Sequence, residues 1–93
     1  MAAALKTAAF AGGTIGAGSS SVGAGTVEGI YTVTTATTLD WAILSDFSEI
    51  LFVEGYITAT GVDCVPYVDG TTENKVFVTG TGACTLLVKG VPA

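Results

Sequence analysis

The side chains able to do chemistry in this chain are few, and their spacing argues against most of it. Histidine is absent, so neither a Ser-His-Asp nor a Cys-His nucleophile arrangement can be built. Cys64 and Cys84 are the only cysteines, too few for a closed zinc site without histidine. The carboxylates come in loose pairs: Asp40 with Asp46, Glu49 with Glu54, Asp63 with Asp69, and Asp69 with Glu73. Nothing in this spacing sets two of them in a cleft, and they read as solvated loop charges. The run Asp69–Gly70–Thr71–Thr72–Glu73–Asn74 offers oxygen ligands but does not follow an EF-hand loop. The glycine-rich stretches Gly12–Gly18 and Gly80–Gly82 do not lie between a strand and a helix, so they do not read as phosphate cradles. The chain is expected to be non-enzymatic, with no cofactor and no metal.

Charge narrows the partners. Eight acidic residues against three lysines, with no arginine, give a net charge of −5. Phosphate binding relies on Lys or Arg to release counterions, so nucleic acid is an unfavourable partner, and an anionic membrane would repel the chain. No run of apolar residues is long enough for a transmembrane helix. Charged residues make up only 12% of the sequence, against about 25% in an average globular chain. Either hydroxyls cover the surface, or other subunits do, and the two-faced strands described next favour subunits.

The positioning elements read as strands. Glu49–Ala59 is the longest stretch rich in β-branched and aromatic residues and ends near Gly61. Alternation puts Leu51, Val53 and Ile57 on one face and Ile50, Phe52 and Tyr56 on the other. Thr26–Thr35 is a strand with Val27, Tyr31 and Val33 on one face. Leu39–Phe47 fits either a short helix capped by Thr38 or a strand followed by a Ser45–Asp46 turn, and the strand is preferred. Val62–Val68 is an edge strand, because Pro66 cannot donate to a ladder. A hairpin loop at Asp69–Asn74 leads to Lys75–Thr79, and Gly80–Gly82 turns the chain into Ala83–Lys89. Turn signals about every 8–12 residues mark a small antiparallel β-sandwich or barrel. The expected core joins Leu51, Val53, Ile57, Val76, Val78, Cys84, Leu86 and Val88. Phe52, Tyr56, Phe77 and Leu87 are left over as a spare docking face.

Residues 1–25 are rich in Ala, Gly, Ser and Thr, with isolated Phe10, Ile15 and Val22. They read as an extended, low-complexity N-terminal arm that orders across a neighbour, ahead of a β domain over 26–93. Ala9–Phe10–Ala11 fits a small-x-small cleavage pattern, but the apolar run before it is short and Ala-dominated, so a cleaved signal peptide is not expected. With strands 62–68, 75–79 and 83–90 taken as consecutive neighbours, Cys64 and Cys84 lie two strands apart, beyond disulfide reach. Free thiols are expected; a bond would close a loop of about 20 residues, worth ~3 kcal/mol.

In its low-complexity start followed by VEGIYTVTT, EILFVEGYITATG and KVFVTGTGACTLLVKG, the chain resembles the small capsid decoration (cement) proteins of tailed bacteriophages. That resemblance implies a β-sandwich or tulip-like subunit, a homo-oligomer with a trimer favoured, placed on the virion surface where it bridges copies of the major capsid protein. No residue-level site comes with it. In such a role Phe10, Ile15 and Val22 serve as pegs, and Trp41, Phe52, Tyr56, Phe77 and Leu87 as interface anchors. Two other readings stay open. One is an extracellular adhesin or carbohydrate-binding module with Tyr31, Trp41, Tyr56 and Tyr67 on one shallow face. The other is a filament subunit whose N-terminal segment completes a neighbour's sheet.

Overall fold

Strand alternation sorts this chain into one shared core and two outward faces. The computed structural model describes residues 2–13 and 26–93. Within them lie seven strands: β1 (Ala9–Gly13), β2 (Val27–Thr35), β3 (Asp40–Ile43), β4 (Phe47–Ile57), β5 (Pro66–Val68), β6 (Lys75–Val78) and β7 (Gly82–Pro92). No helix occurs among the described residues, so Leu39–Phe47 resolves as a strand and turn. All pairings between strands are antiparallel, in a four-stranded sheet of order β1-β2-β7-β4 and a three-stranded sheet of order β3-β6-β5. The protein is a small all-β domain.

The core is the meeting of the two inner faces. Tyr31 and Val33 from β2, Phe47 and Ile50 from β4, and Cys84, Leu86 and Val88 from β7 pack with Ala42 from β3 and Val76 and Val78 from β6. Val76, Leu86 and Val88 are fully buried. Burying each such side chain contributes about 1.5–3 kcal/mol. β7 is the middle of the large sheet, paired along β2 from Val27↔Gly90 to Thr35↔Gly82 and along β4 from Phe47↔Pro92 to Ile57↔Cys84.

Two expectations fail here. β7 does not neighbour β6: after the Gly80–Gly82 turn the chain leaves the small sheet and enters the large one. Leu51, expected inside, is 57% exposed. The register of β4 against β7 shifts between Ile50 and Phe52, and Leu51 is the extra residue of that bulge, unpaired and turned out. Val53 and Ile57 keep their inward places beside the core. Pro66 opens β5 at the edge of the small sheet, where its missing N–H costs no ladder bond.

The arm is also revised. Residues 4–13 are not extended away but belong to this chain's own fold. Ala9–Gly13 pairs with β2, while Lys6 N–H donates to the Trp41 carbonyl at 2.7 Å and Trp41 N–H to the Ala4 carbonyl at 3.1 Å. The segment thus runs along β3 and then along β2, covering an edge of each sheet. On the other side, the Ile57 N–H donates to Val62 O and the Cys64 N–H to Gly55 O, so the β4–β5 connection bridges the second pair of edges. Ile15 and Val22 lie outside the described residues.

One carboxylate fixes the first of these closures. Asp40, read from sequence as a solvated loop charge, is 1% exposed. Its Oδ1 accepts the Ala4 N–H at 2.8 Å, and its Oδ2 accepts the Ala36 and Thr37 N–H groups at 2.8 and 2.9 Å. Lys6 Nζ stands 4.0 Å away. The preceding residue, Leu39, takes a left-handed φ of 68°, a strained conformation for a branched side chain, and the Asp40 bonds on either side hold it. The Ala36 amide, with those of Ala4 and Thr37 and the Lys6 charge, lowers the Asp40 carboxyl below its ordinary value against the opposing effect of burial. A lowered folded-state value means stability that is present above about pH 4 and lost as pH falls through the folded value. Urea midpoints should therefore drop on acidification below about pH 4, and Asp40→Asn should be less stable at pH 7 with a flatter acid profile.

A close backbone approach in the large sheet gives a second test. A Cβ added at Gly90 would lie 2.2 Å from the Glu49 carbonyl oxygen, whereas one at Gly70 meets nothing within 4 Å. The Glu49 oxygen is backbone in the bulged strand and cannot rotate aside. Gly90→Ala should cost about 1–3 kcal/mol in urea unfolding, and Gly70→Ala less than about 0.5 kcal/mol.

Candidate functional site

The outward residues of each sheet form two different surfaces. On the small sheet, Trp41 pairs with Phe77 and Tyr67 pairs with Phe77, so three aromatic residues cross β3, β6 and β5 in one row. Tyr67 and Phe77 stack with centroids 5.3 Å apart and planes at 29°. Lys75 Nζ lies 4.2 Å from the Trp41 ring centroid and 4.8 Å from that of Phe77, and 3.8 Å from Asp69 Oδ2. The cation is held by two ring faces and a carboxylate at once. Ile43 and Leu5 extend the patch.

On the large sheet, pairing lines up outward residues in rows across β2, β7 and β4. Glu28, Lys89 and Phe52 form one row; Ile30, Leu87 and Glu54 the next; Thr32, Thr85 and Tyr56 a third. Lys89 Nζ sits 5.6 Å from the Phe52 ring centroid. Phe52 and Tyr56 are each 44% exposed. Ile30, Leu87 and Tyr56 line a groove of about 480 Å³ together with Glu54, Asp63 and Gly55. Asp63 reaches this place because its backbone bridges to Tyr56. Gly55 is required there, since an added Cβ would meet Leu86 Cδ2 at 2.5 Å and Thr85 O at 2.8 Å.

The expected interface residues are therefore divided. Trp41 and Phe77 lie on one face, Phe52, Tyr56 and Leu87 on the opposite one, so the single spare face joining Phe77 to the other three does not exist. β6 and β7 belong to different sheets, and that separates them. Phe10 is half exposed on the β1 edge but turns toward its own chain, edge-on to Tyr31 at 5.6 Å and 70°. Tyr31 and Tyr56, grouped with Trp41 and Tyr67 in the glycan-binding alternative, are not on that face. Tyr31 is 2% exposed, its hydroxyl donates to Asp46 Oδ2 at 2.8 Å, and burial with that carboxylate raises its ionisation well above the ordinary tyrosine value. Sequence reading passed over Ile30 as a surface residue, although its alternation against Tyr31 and Val33 carried the signal. Asp63 and Glu54 had no such signal, because the strand register alone brings them to one groove.

Other candidate chemistry is absorbed by structure. Asp69 Oδ1 accepts the Thr71 N–H at 3.0 Å, so the Asp69–Asn74 loop spends its carboxylate on its own turn and on Lys75. No group of three or more potential metal ligands gathers among the described residues. Both cysteines are free and buried, as expected, but the separation expected of them is not found. They sit in one core with the Cys84 thiol beside that of Cys64, and burial, then this neighbour, pushes the Cys64 thiol up to about 12. No family model, curated protein or solved structure matches this chain.

A thiol so raised, and without solvent contact, is a poor nucleophile. At pH 8 an aromatic disulfide reagent should label neither cysteine in the folded protein, and both should react promptly in denaturant. Fast labelling of Cys64 under native conditions would contradict its burial.

Proposed function

We propose that this protein is a non-enzymatic structural subunit that works by docking, and that its place is the surface of a tailed-phage capsid as a decoration subunit. One observation carries the reading: apolar and aromatic side chains stand exposed on both outer faces, Phe52, Tyr56 and Ile30 on one and Tyr67, Ile43 and Leu5 on the other. Scattered surface hydrophobics need no explanation, but groups of them on two opposite faces mark surfaces that other proteins cover. Two covered faces on a rigid body suit a bridge between neighbouring subunits, which needs contact area and not reacting groups. A net charge of −5 weighs against nucleic acid as the bridged partner. The low charge content, which pointed to a surface covered by other subunits, fits the same role.

A second reading rests on the Trp41–Phe77–Tyr67 row. An aromatic row across three strands offers ring faces for stacking a sugar chain, which suits an extracellular binding module. In the filament reading, an N-terminal strand completes a neighbour's sheet, but here the β2 edge is occupied by this chain's own β1.

Sedimentation separates the readings. The full chain, mixed with purified capsids assembled from the capsid gene nearest its own, should co-sediment saturably. Phe52→Glu and Tyr67→Glu, one on each face, should each weaken binding by about tenfold or more. A monomer that ignores capsids and binds oligosaccharide, with the Tyr67 variant losing that affinity, would establish the glycan module in its place.

A further inference from the structure

The groove on the large sheet combines apolar and acidic lining residues, and that combination specifies an occupant. We propose that it receives a lysine or arginine side chain, with its immediate neighbours, from a segment of a different protein; the inference rests on the docking role and names the partner chemistry for one of the two faces. The row Ile30–Leu87 supplies apolar surface for the methylene stem, and Tyr56 lines the groove with it. Long basic side chains bury such stems while keeping their charged heads at polar groups. Those polar groups are the carboxylates of Glu54 and Asp63. Asp63 Oδ1 is engaged by the Val65 N–H at 2.7 Å. Salt bridges among the described residues are Lys6–Asp40 and Lys75–Asp69, and neither involves Glu54 or Asp63.

The charge inventory explains why the occupant is foreign. The chain has no arginine and three lysines, and each lysine is placed. Lys6 stands by the buried Asp40, Lys75 is held by Asp69 and two rings, and Lys89, one row from the groove, leans over Phe52. Among the described residues no lysine is left unplaced to offer to a second copy, and two copies at −5 repel. A partner with a basic loop gains complementarity that another copy of this chain lacks. A 480 Å³ groove holds one long side chain with its flanking residues.

Titration of the isolated, isotope-labelled full chain with short peptides tests this without any capsid. The probes are acetyl-Ala-Leu-Lys-Leu-Ala-amide, its arginine analogue, and controls with glutamate or norleucine at the centre. The basic probes should shift the amides of Ile30, Glu54, Tyr56 and Leu87 saturably, with weaker binding at high salt. Glu54→Gln with Asp63→Asn should reduce their affinity by about fivefold or more. Asparagine retains the Oδ1 that caps the Val65 turn, so the variant's unchanged spectrum elsewhere verifies its fold. Equal shifts from the glutamate or norleucine probe, shifts centred on Trp41 and Phe77, or no saturable shift would overturn the assignment. Capsid sedimentation judges docking separately, so a failed titration removes the basic-segment receptor and leaves the structural role to its own test.

Discussion

Everything in this molecule depends on β7 being hydrogen-bonded along both of its edges. Its inward residues Cys84, Leu86 and Val88 are the centre of the core, and its outward residues Thr85, Leu87 and Lys89 are the centre line of the large face. Because successive residues of a strand point to opposite sides, core and surface are two readings of one register. A slip of a single residue would exchange Leu86 for Leu87 and dismantle both. Two glycines along the β4–β7 pairing serve the same alignment. Gly55 has no room for a side chain above Leu86, and Gly90 has none beside the bulged backbone of β4. The groove and the core thus share β7, with Leu87 lining the one and Leu86 filling the other.

Scarce cations shape the surfaces that result. With three lysines to distribute, the small sheet gathers Lys75 among aromatic rings and the N-terminal segment holds Lys6 against Asp40, leaving the groove acidic. The two faces differ in chemistry: one is an aromatic row with an embedded cation, the other sets Phe52, Tyr56, Ile30 and Leu87 around a groove with two carboxylates. In the docking role proposed above, two unlike faces would discriminate between partners through both the attraction they offer and the repulsion they impose. Low charge content and high selectivity are compatible when the few charges stand at the rims of apolar patches.

Much of the fold was legible from alternation. Tyr31 and Val33, Val76 and Val78, and Leu86 and Val88 each occupy the face their spacing implies, and Pro66 marks an edge. Pairing between strands was not legible. A short glycine turn between Val78 and Ala83 reads as a hairpin, yet the chain crosses there to the other sheet, and no local pattern distinguishes the two. That single misreading merged Phe77 with Phe52, Tyr56 and Leu87 and set Cys64 far from Cys84. Leu51 eluded the pattern because a bulge breaks the period of two without changing composition. Asp40 eluded it because its amide partners come from residues 4, 36 and 37. Residues 4–13 looked like an arm since their composition builds no core, and what orders them is backbone pairing and one carboxylate. The groove was hidden for the same reason as the topology: Ile30, Tyr56, Asp63 and Leu87 meet only once distant strands are in register.

The central position of β7 also sets when this protein can begin to exist as a folded object. Val33 pairs with Cys84, about fifty residues later in the chain, and β2 and β4 share no backbone pairing until β7 comes between them. A ribosome that has finished β1 to β6 has produced the small sheet's strands but not the strand that joins the large sheet. Such high contact order makes folding slow, and it makes folding an all-or-none event gated by translation of residues 82–92. A chain cut short before that point has two open sheet edges and an unfilled core, so it is a substrate for proteolysis and not for assembly. By building its large sheet around β7, the protein lets only chains that reach residue 92 complete that sheet and the core beneath it.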